Sequence, residues 1–178
     1  MKEHEGIGFT MATTLPVKIS FSLPDGWQPA PPDEVGAPSV AFVALHPASV
    51  DGGFTANITI AGRMRNDGAT IRQIAYESVR RLAQAGEVQV LKKQDVGTPD
   101  LPGLTDSPGV VQNLRLSTTL HGAPLELAQS QVYLGLEDTK NPAKRAVIEL
   151  VLTAKPEQLP EVLEDFKEFV RSVRADGS

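Results

Sequence analysis

The chain has 178 residues, with 17 lysines and arginines, 22 aspartates and glutamates, and a formal net charge of -5. This length fits one domain. The modest acidic balance argues against a nucleic-acid binder, which usually carries a basic face, and against adhesion to anionic membranes. Because cysteine is absent, disulfides, thiolate metal sites and thiol nucleophiles are excluded.

The N-terminal stretch MKEHEGIGFTMATTLPVKI contains no apolar run of the kind found in signal peptides. No window of the sequence approaches the ~20 apolar residues that a membrane helix needs, so we expect no membrane insertion. We predict a flexible extension over residues 1–14, a single domain over 15–175 and a cytoplasmic location. The alternative is an extracytoplasmic location, if a leader peptide has been removed.

Strands and turns alternate in the first third of the chain. Apolar and polar residues alternate over 17–23, which predicts a strand with one buried face. The turn PDG at 24–26 ends this strand, and a proline-rich loop follows at 28–38. A short apolar strand is predicted at 39–46, and an alternating strand begins at Phe54.

Trp27 is the single tryptophan and lies between the PDG turn and the proline-rich loop. Its ring could cover one end of the core, or it could be an exposed anchor for a binding partner. We favour the core role, because burial of such a ring stabilises a fold by roughly 2–3 kcal/mol on area grounds.

Apolar residues at helical spacing predict a first helix over 70–85. Thr70 and Gln73 have the spacing of a capping box at its start. Gly86 follows the last turn, where a left-handed residue is expected.

Four strands and a closing helix complete the chain. The strands are predicted at 87–96, 110–120, 125–136 and 145–154. The apolar phase of the third changes near Gln129, which predicts a bulge or a bend. Pro156 is well placed to begin a helix over 157–173. These elements predict an α+β fold: a single twisted, largely antiparallel sheet of about seven strands with helices packed on it.

Three short stretches, LPDGW (23–27), NITI (57–60) and FVRSV (169–173), resemble those of actinobacterial LpqN-type proteins. That family has the PsbP-like fold, which also includes DcrB-like proteins. The resemblance covers about residues 15–175 and implies a twisted antiparallel sheet between helices. It also implies action through protein partners, because PsbP-like relatives mostly act in this way and DcrB-like relatives include chaperones for secretion substrates. LpqN-type proteins are often lipoproteins or secreted, whereas this chain has no lipid-bearing cysteine.

No group of residues specifies a reaction. His4, His46 and His121 do not share metal-ligand spacing. There is no G-x-S-x-G nucleophile elbow, and no glycine-rich stretch opens a helix as a phosphate loop requires. We therefore assign no catalytic, cofactor or metal residue, expect no cofactor, and leave enzyme activity open while favouring none.

Two groups of polar residues are candidates for binding. One could face an anion or be ordinary solvated charge: Arg63, Arg65, Arg72, Arg80 and Arg81. The other is a strip on one strand that could be solvent-facing sheet or a platform for a partner: Asn113, Arg115, Ser117 and Thr119. Arg115 is the preferred contact, because a planar guanidinium suits a carboxylate or phosphate.

We predict a non-enzymatic protein-binding or adaptor domain, with a link to secretion or the cell envelope implied by the resemblance. The expected partner is another protein or a second copy of the chain, and not nucleic acid. The alternatives are a small-molecule carrier with a pocket under the loop 98–109 and an enzyme with a scattered site. An apolar pocket with a few polar groups would favour the carrier, and a broad exposed apolar patch would favour the adaptor.

Overall fold

The computed structural model describes residues 10–12, 15–16, 19–32, 34, 40–51, 53–96, 109–120, 122–137 and 145–175. Its strands are β1 (Thr10–Ala12), β2 (Ile19–Phe21), β3 (Gln28–Ala30), β4 (Phe42–Leu45), β5 (Asn57–Met64), β6 (Glu87–Val96), β7 (Gly109–Leu120), β8 (Ala123–Glu137), β9 (Arg145–Ala154) and β10 (Arg174–Ala175). Its α-helices are α1 (Ile71–Ala83) and α2 (Leu159–Ser172). The predicted loop 98–109 lies outside the described residues, apart from Gly109.

Seven strands form one sheet in the order β3-β4-β5-β9-β8-β7-β6, and every neighbouring pair is antiparallel. The helix α1 packs against β6, β7 and β8, and α2 packs against β9 on the opposite face. The predicted α+β class and the seven-stranded antiparallel sheet are confirmed. Neither of the helices in the described part of the chain is long and apolar enough to cross a membrane.

The predicted first strand, 17–23, does not belong to this sheet. Its observed part, β2, pairs with β1 and β10 in a separate three-stranded sheet. The edge position in the main sheet is taken by β3, which lies within the predicted loop 28–38 and tolerates Pro29 because it is an edge strand. Alternation identifies a strand with one buried face but not its partner, so the prediction was wrong on this point. The pairing of β1 also places Thr10–Ala12, within the predicted extension 1–14, in the small sheet.

The main core lies between the seven-stranded sheet, α2 and β2. Phe21 packs against Phe42 and Phe169, with ring centroids 5.0 and 5.4 Å apart respectively. Ile148 and Leu150 of β9 are fully buried in the same cluster. This cluster accounts for most of the buried apolar side chains and holds α2 and the small sheet on one face of the main sheet.

Trp27 belongs to this core. Only 6% of the residue is exposed, and its ring packs against His46 with centroids 4.9 Å apart. The indole Nε1 donates a hydrogen bond to Asp165 Oδ2 on α2 at 3.0 Å. The turn before Trp27 therefore folds the ring over the end of the core, and the predicted structural role is confirmed.

The helix α1 begins as predicted and ends differently. The Gln73 amide donates to Thr70 Oγ1 at 3.0 Å, and the Thr70 amide donates to Gln73 Oε1 at 2.7 Å, so the capping box is confirmed. Gly86, however, does not have a positive φ. A Cβ at this position would overlap the carbonyl oxygen of Ser117, so glycine is required here by the close approach of the backbone to β7.

A bulge or a bend was predicted near Gln129, and the bulge is absent, because β8 pairs with β7 and β9 without a register shift. The apolar phase of β8 changes because both faces of the strand are buried. The α1 face carries buried polar residues such as Gln131, whereas the α2 face carries Val132 and Leu134. The sheet does contain a bulge, but in β6. Val90 pairs with Leu114 and Lys92 pairs with Asn113, which leaves Leu91 as the extra residue.

The second helix begins at Leu159 rather than at the predicted Pro156. The preceding residue, Gln158, is buried and joins three backbone segments. Its Oε1 accepts from the Lys155 amide at 2.7 Å, and its Nε2 donates to the carbonyl oxygens of Ser49 and Phe54 at 2.5 and 2.9 Å. These bonds place the start of α2 against the loop between β4 and β5.

Candidate ligand-binding groove

A groove of about 300 Å³ lies between α2 and the strands β6, β7 and β8. This volume is at the lower end of the range for small-molecule sites. We call it the α2 groove. Its apolar lining residues are Val111, Val132, Leu163, Phe166 and Val170. Its polar lining residues are Lys92, Gln94, Asn113, Ser130, Lys167 and Arg171.

The floor of the α2 groove consists of two rows of side chains that cross three strands. Lys92 pairs with Asn113, and Asn113 pairs with Ser130, which gives a polar row. The other row comprises Gln94, Val111 and Val132. Paired residues on adjacent strands have Cβ atoms about 5 Å apart, so each row presents its groups together. The floor therefore has a polar side and a mainly apolar side.

The bulge in β6 places Lys92 in the groove. Val88 and Val90 pair with residues of β7 that lie on the α1 face of the sheet, and strict alternation would put Lys92 on that face too. The extra residue, Leu91, reverses the phase and brings Lys92 to the α2 face, while Lys93 moves to the α1 face. Bulges are often found where a side chain is re-aimed in this way.

The helix α2 supplies the wall of the groove. Leu163, Phe166 and Val170 contribute its apolar surface, and Phe166 is almost fully buried. Lys167 and Arg171 are four residues apart, which places them next to each other on the same side of the helix. The wall therefore combines an apolar surface with two exposed cations.

Most polar side chains of the groove have no partner within the described residues. Lys92 and Arg171 form no ion pair there, and Asn113 and Ser130 form no side-chain hydrogen bond. Lys167 alone is paired, with Glu164 Oε2 at 3.4 Å. The described lining thus contains three cations and no carboxylate.

The four residues predicted to bind a partner do not form one site. Asn113 lies in the α2 groove. Ser117 Oγ donates to Glu126 Oε2 at 2.5 Å, and Arg115 lies 3.9 Å from Glu126 Oε1. Thr119 is exposed further along the same strand. The guanidinium preferred as a partner contact is therefore already beside a carboxylate, and binding through the strip stays a prediction.

Two of the arginines on the other side of the sheet, Arg63 and Arg65, are paired with acids. Arg65 contacts Glu77 and Asp67, both at 2.8 Å, and Arg63 lies 3.5 Å from Glu77. Hydrogen bonds from Arg65 lower the pKa of Glu77 and hold the pKa of Asp67 at about 2. These charges link the end of β5 to the middle of α1, which favours the solvated and structural interpretation of Arg63 and Arg65 over an anion site.

A chain of amide side chains runs beneath α1. Gln112 Nε2 donates to the carbonyl oxygen of Ala75 at 3.0 Å and to Gln131 Oε1 at 2.7 Å. The same Gln131 oxygen accepts from the Tyr133 hydroxyl at 3.3 Å, and Gln131 Nε2 donates to Gln129 Oε1 at 2.8 Å. Apart from Gln112 Oε1, which is buried without a hydrogen-bond partner among the described residues, these groups bond to one another in the interior, so we interpret them as structural.

Glu149 lies at the rim of this amide chain, in a depression that also contains Arg81. Burial raises the pKa of Glu149, and Arg81, 3.9 Å away, only partly opposes that effect. Burial also raises the pKa of Tyr133.

Among the described residues no group of three or more His, Asp or Glu side chains could hold a metal ion. His4 and His121 lie outside the described part, and His46 packs against Trp27.

No family model matches this sequence, and no curated protein is similar to it in sequence. Solved structures do match. LpqN of Mycobacterium tuberculosis, described as involved in cell envelope biogenesis, superposes with a TM-score of 0.64 at 13% identity, over 93% of this chain and 89% of LpqN. The cyanobacterial PsbP protein of Synechocystis superposes with a TM-score of 0.56 at 13% identity, over 98% of each chain. The fold is LpqN-type and PsbP-like.

A third similar structure, PA94 of Pseudomonas aeruginosa, is described as a protein of unknown function. It superposes with a TM-score of 0.56 at 15% identity, over 96% of this chain and 99% of PA94. At these identities the likeness concerns the fold alone. The α2 groove is therefore assigned from the residues of this chain.

Sequence reasoning missed Lys92, Lys167 and Arg171 as groove residues of this PsbP-like chain. One sequence feature pointed to the strand side of the groove: the alternation in EVQVLKKQ (87–94) breaks at Leu91. On the helix, Lys167 and Arg171 directly follow apolar residues of the stripe, Phe166 and Val170. Neither feature shows that the two elements lie on opposite sides of one groove, because that depends on how α2 packs on the sheet.

Proposed function

We propose that this chain is a non-catalytic binding protein and that the α2 groove holds a small amphiphilic ligand. The observation that carries the proposal is the pairing of an apolar surface with unpartnered polar groups in one groove. Val111, Val132 and Phe166 can contact an apolar body, while Lys92 and Asn113 can bond a polar end. Small-molecule sites commonly combine a mostly apolar lining with a few polar groups that orient the ligand.

The side chains in the groove favour binding over catalysis. Ser130 is the hydroxyl residue of the described lining, and its Oγ has no base within hydrogen-bond distance among the described residues. A serine nucleophile is commonly activated by such a base. Lys92 and Ser130 are separated by Asn113 in the polar row, so they are two strands apart.

A place for this function in the cell envelope is part of the proposal. LpqN is described as involved in cell envelope biogenesis, and an envelope supplies amphiphiles with one apolar and one polar end. The residues of the groove support this connection through their chemistry, independently of the shared fold.

Binding of a neutral fluorescent amphiphile, N-phenyl-1-naphthylamine, tests the proposal. We expect its fluorescence to rise with wild-type protein and to be lost in Val111→Asp, which places a carboxylate in the apolar row. The matched control is Val90→Asp, which introduces the same group on the opposite face of β6. Methyl NMR during the titration should show the largest shifts at Val111, Val132 and Leu163. If shifts of the same size occur throughout the core, or if no probe binds, the groove is not a binding site.

Recognition of a protein partner is a second candidate, favoured by a different observation. Val90 and Leu91 at the bulge are 42% and 54% exposed on the edge strand β6, and an edge strand offers unpaired backbone groups to another chain. Leu91→Lys should then abolish capture of a partner from cell extract, whereas Arg115→Ala should abolish it if the predicted strip is the contact. Unchanged capture in both folded variants would exclude both surfaces.

A further inference from the structure

The cations of the α2 groove indicate which amphiphile it holds. This inference rests on the proposed function and concerns the charge of the ligand. Lys92 comes from β6 and Lys167 and Arg171 come from α2, so positive charge reaches the groove from the floor and from the wall. No carboxylate belongs to the described lining, and Glu164 engages Lys167 alone.

The positive charge of the groove contrasts with the acidic balance of the whole chain. The chain has an overall formal charge of -5. Three arginines elsewhere in the described part have acids beside them: Arg65 contacts Asp67 and Glu77, Arg81 of α1 lies beside Glu149, and Arg115 lies beside Glu126. Lys92 and Arg171, which have no acidic partner among the described residues, favour an anion over other ligands in this groove.

The donors of the groove match an anionic headgroup. Arg171 has a planar fork that can bond two oxygen atoms of a carboxylate or phosphate, and Lys92 is a compact ammonium donor. Asn113 and Ser130 add neutral donors in the same polar row. Hydrogen bonds to a charged acceptor are stronger than those between neutral groups.

The volume of the groove limits the apolar part of the ligand. A space of about 300 Å³ fits one alkyl chain rather than a two-chain lipid. Leu163, Phe166 and Val170 on the wall and Val111 and Val132 on the floor provide its contacts. We infer that the α2 groove binds a single-chain amphiphile with an anionic headgroup, which lies between the polar row and the cations of α2.

Displacement of N-phenyl-1-naphthylamine by four ligands with the same decyl chain tests this inference: decanoate, decyl phosphate, decan-1-ol and decylammonium. We expect at least one of the two anions to bind about tenfold more tightly than the alcohol at low salt, and decylammonium to bind most weakly. High salt should reduce the advantage of the anion, because exposed charges are screened. The comparison of decanoate with decyl phosphate identifies the preferred headgroup.

Variants that remove charge show which cations produce the preference for anionic ligands. Lys92→Gln combined with Arg171→Gln should weaken binding of the preferred anion by about tenfold and leave binding of decan-1-ol nearly unchanged. The matched control combines Lys93→Gln with Arg80→Gln, which removes the same charge from the α1 side and should preserve the preference. Thermal unfolding of both double variants checks that they are folded.

Two outcomes would overturn the inference and leave the proposed function standing. In one, the alcohol or the ammonium ligand binds as tightly as the anions. In the other, the anion preference survives in the Lys92 and Arg171 double variant. If an acidic peptide displaces the probe while neither decyl anion does, the ligand is not a single-chain amphiphile and the inference also fails. Failure of the naphthylamine probe to bind at all would instead overturn the proposed function.

Discussion

Under α1, the side chains of Gln112, Gln131 and Tyr133 bond to one another and to the helix backbone. Under α2, the side chains of Lys92 and Asn113 bond to nothing in the described part of the chain. The first set lies in the interior, where an unpaired polar group is costly, and the second lies at an open groove, where water can solvate it. Polar residues that satisfy one another hold a fold together, whereas polar residues left open beside an apolar surface are available to a ligand.

The two helices cover opposite faces of the same sheet, and they bury different amounts of apolar surface. The cluster under α2 contains most of the large buried side chains, including Phe21, Phe169 and Ile148. The cluster under α1 is smaller and centres on Ile74 and Tyr133. Stability should therefore depend most on the α2 face, although that face also contains the candidate binding site.

The largest effect is expected from Trp27→Ala, on the α2 face. Removal of this buried ring should lower the free energy of unfolding by roughly 3–5 kcal/mol, because it leaves a cavity at the end of the core. Denaturant titration measures the change. Tyr76→Ala is the matched control, since Tyr76 is exposed on α1 and its loss should cost less than about 0.5 kcal/mol. A loss below about 1 kcal/mol for Trp27→Ala would contradict the assignment of the main core to this face.

Gln131→Leu is expected to have the next largest effect, on the α1 face. It removes the oxygen that accepts from Gln112 and Tyr133, so two buried donors lose a partner and unfolding becomes easier by roughly 1–3 kcal/mol. The control is Gln89→Leu on the exposed part of β6. Equal midpoints for the two variants in urea would mean that the amide chain is not structural and could itself be a site.

Glu149→Gln should give a smaller effect whose size depends on pH. Burial raises the pKa of Glu149 in the folded protein, so the folded state retains a proton that the unfolded state releases. Wild-type stability therefore falls as pH rises through the interval between the unfolded and the folded pKa. Glutamine does not titrate, so the variant should be relatively more stable at neutral pH than at about pH 4. If the stabilities of wild type and Glu149→Gln, measured by thermal unfolding, differ by the same amount at every pH in this range, burial does not raise the pKa of Glu149.

The smallest effect on stability is expected from Lys92→Gln in the groove. Because Lys92 has no ion-pair partner among the described residues, its loss should change the free energy of unfolding by less than about 0.5 kcal/mol. Arg65→Gln is the contrasting variant, since it separates two carboxylates from their shared cation and should destabilise the protein more. If Lys92→Gln is the more destabilising of the two in thermal unfolding, Lys92 has a structural role and the contrast between the faces fails.

Much of the fold was predictable because it depends on local chemistry. The capping box of α1 needs only Thr70 and Gln73 at the right spacing, and the side chains bond as predicted. The core role of Trp27 followed from a turn that returns the chain over the sheet. The pairing of β2 outside the main sheet was not predictable, because the pattern of Ile19 and Phe21 shows a buried face and not the element that covers it.

The candidate site was predictable only in part. Of the four residues in the predicted strip, Asn113 lies in the groove, whereas Arg115 and Ser117 are engaged with Glu126. A polar pattern on a strand shows which face is not filled by apolar residues. It cannot show which side chains find a partner on the neighbouring strand, because that depends on the register.

The sequence by itself determined most of the longer elements of this protein: the periods of their strands and helices, the start of α1 and the antiparallel pairing of strands joined by short connections. Only the tertiary structure decided what those elements enclose. The one-residue bulge at Leu91 sends Lys92 to the α2 face, and the packing of α2 brings Lys167 and Arg171 to the same groove. The physical reason is that local patterns act over a few residues, whereas the groove joins side chains about 80 residues apart in the sequence.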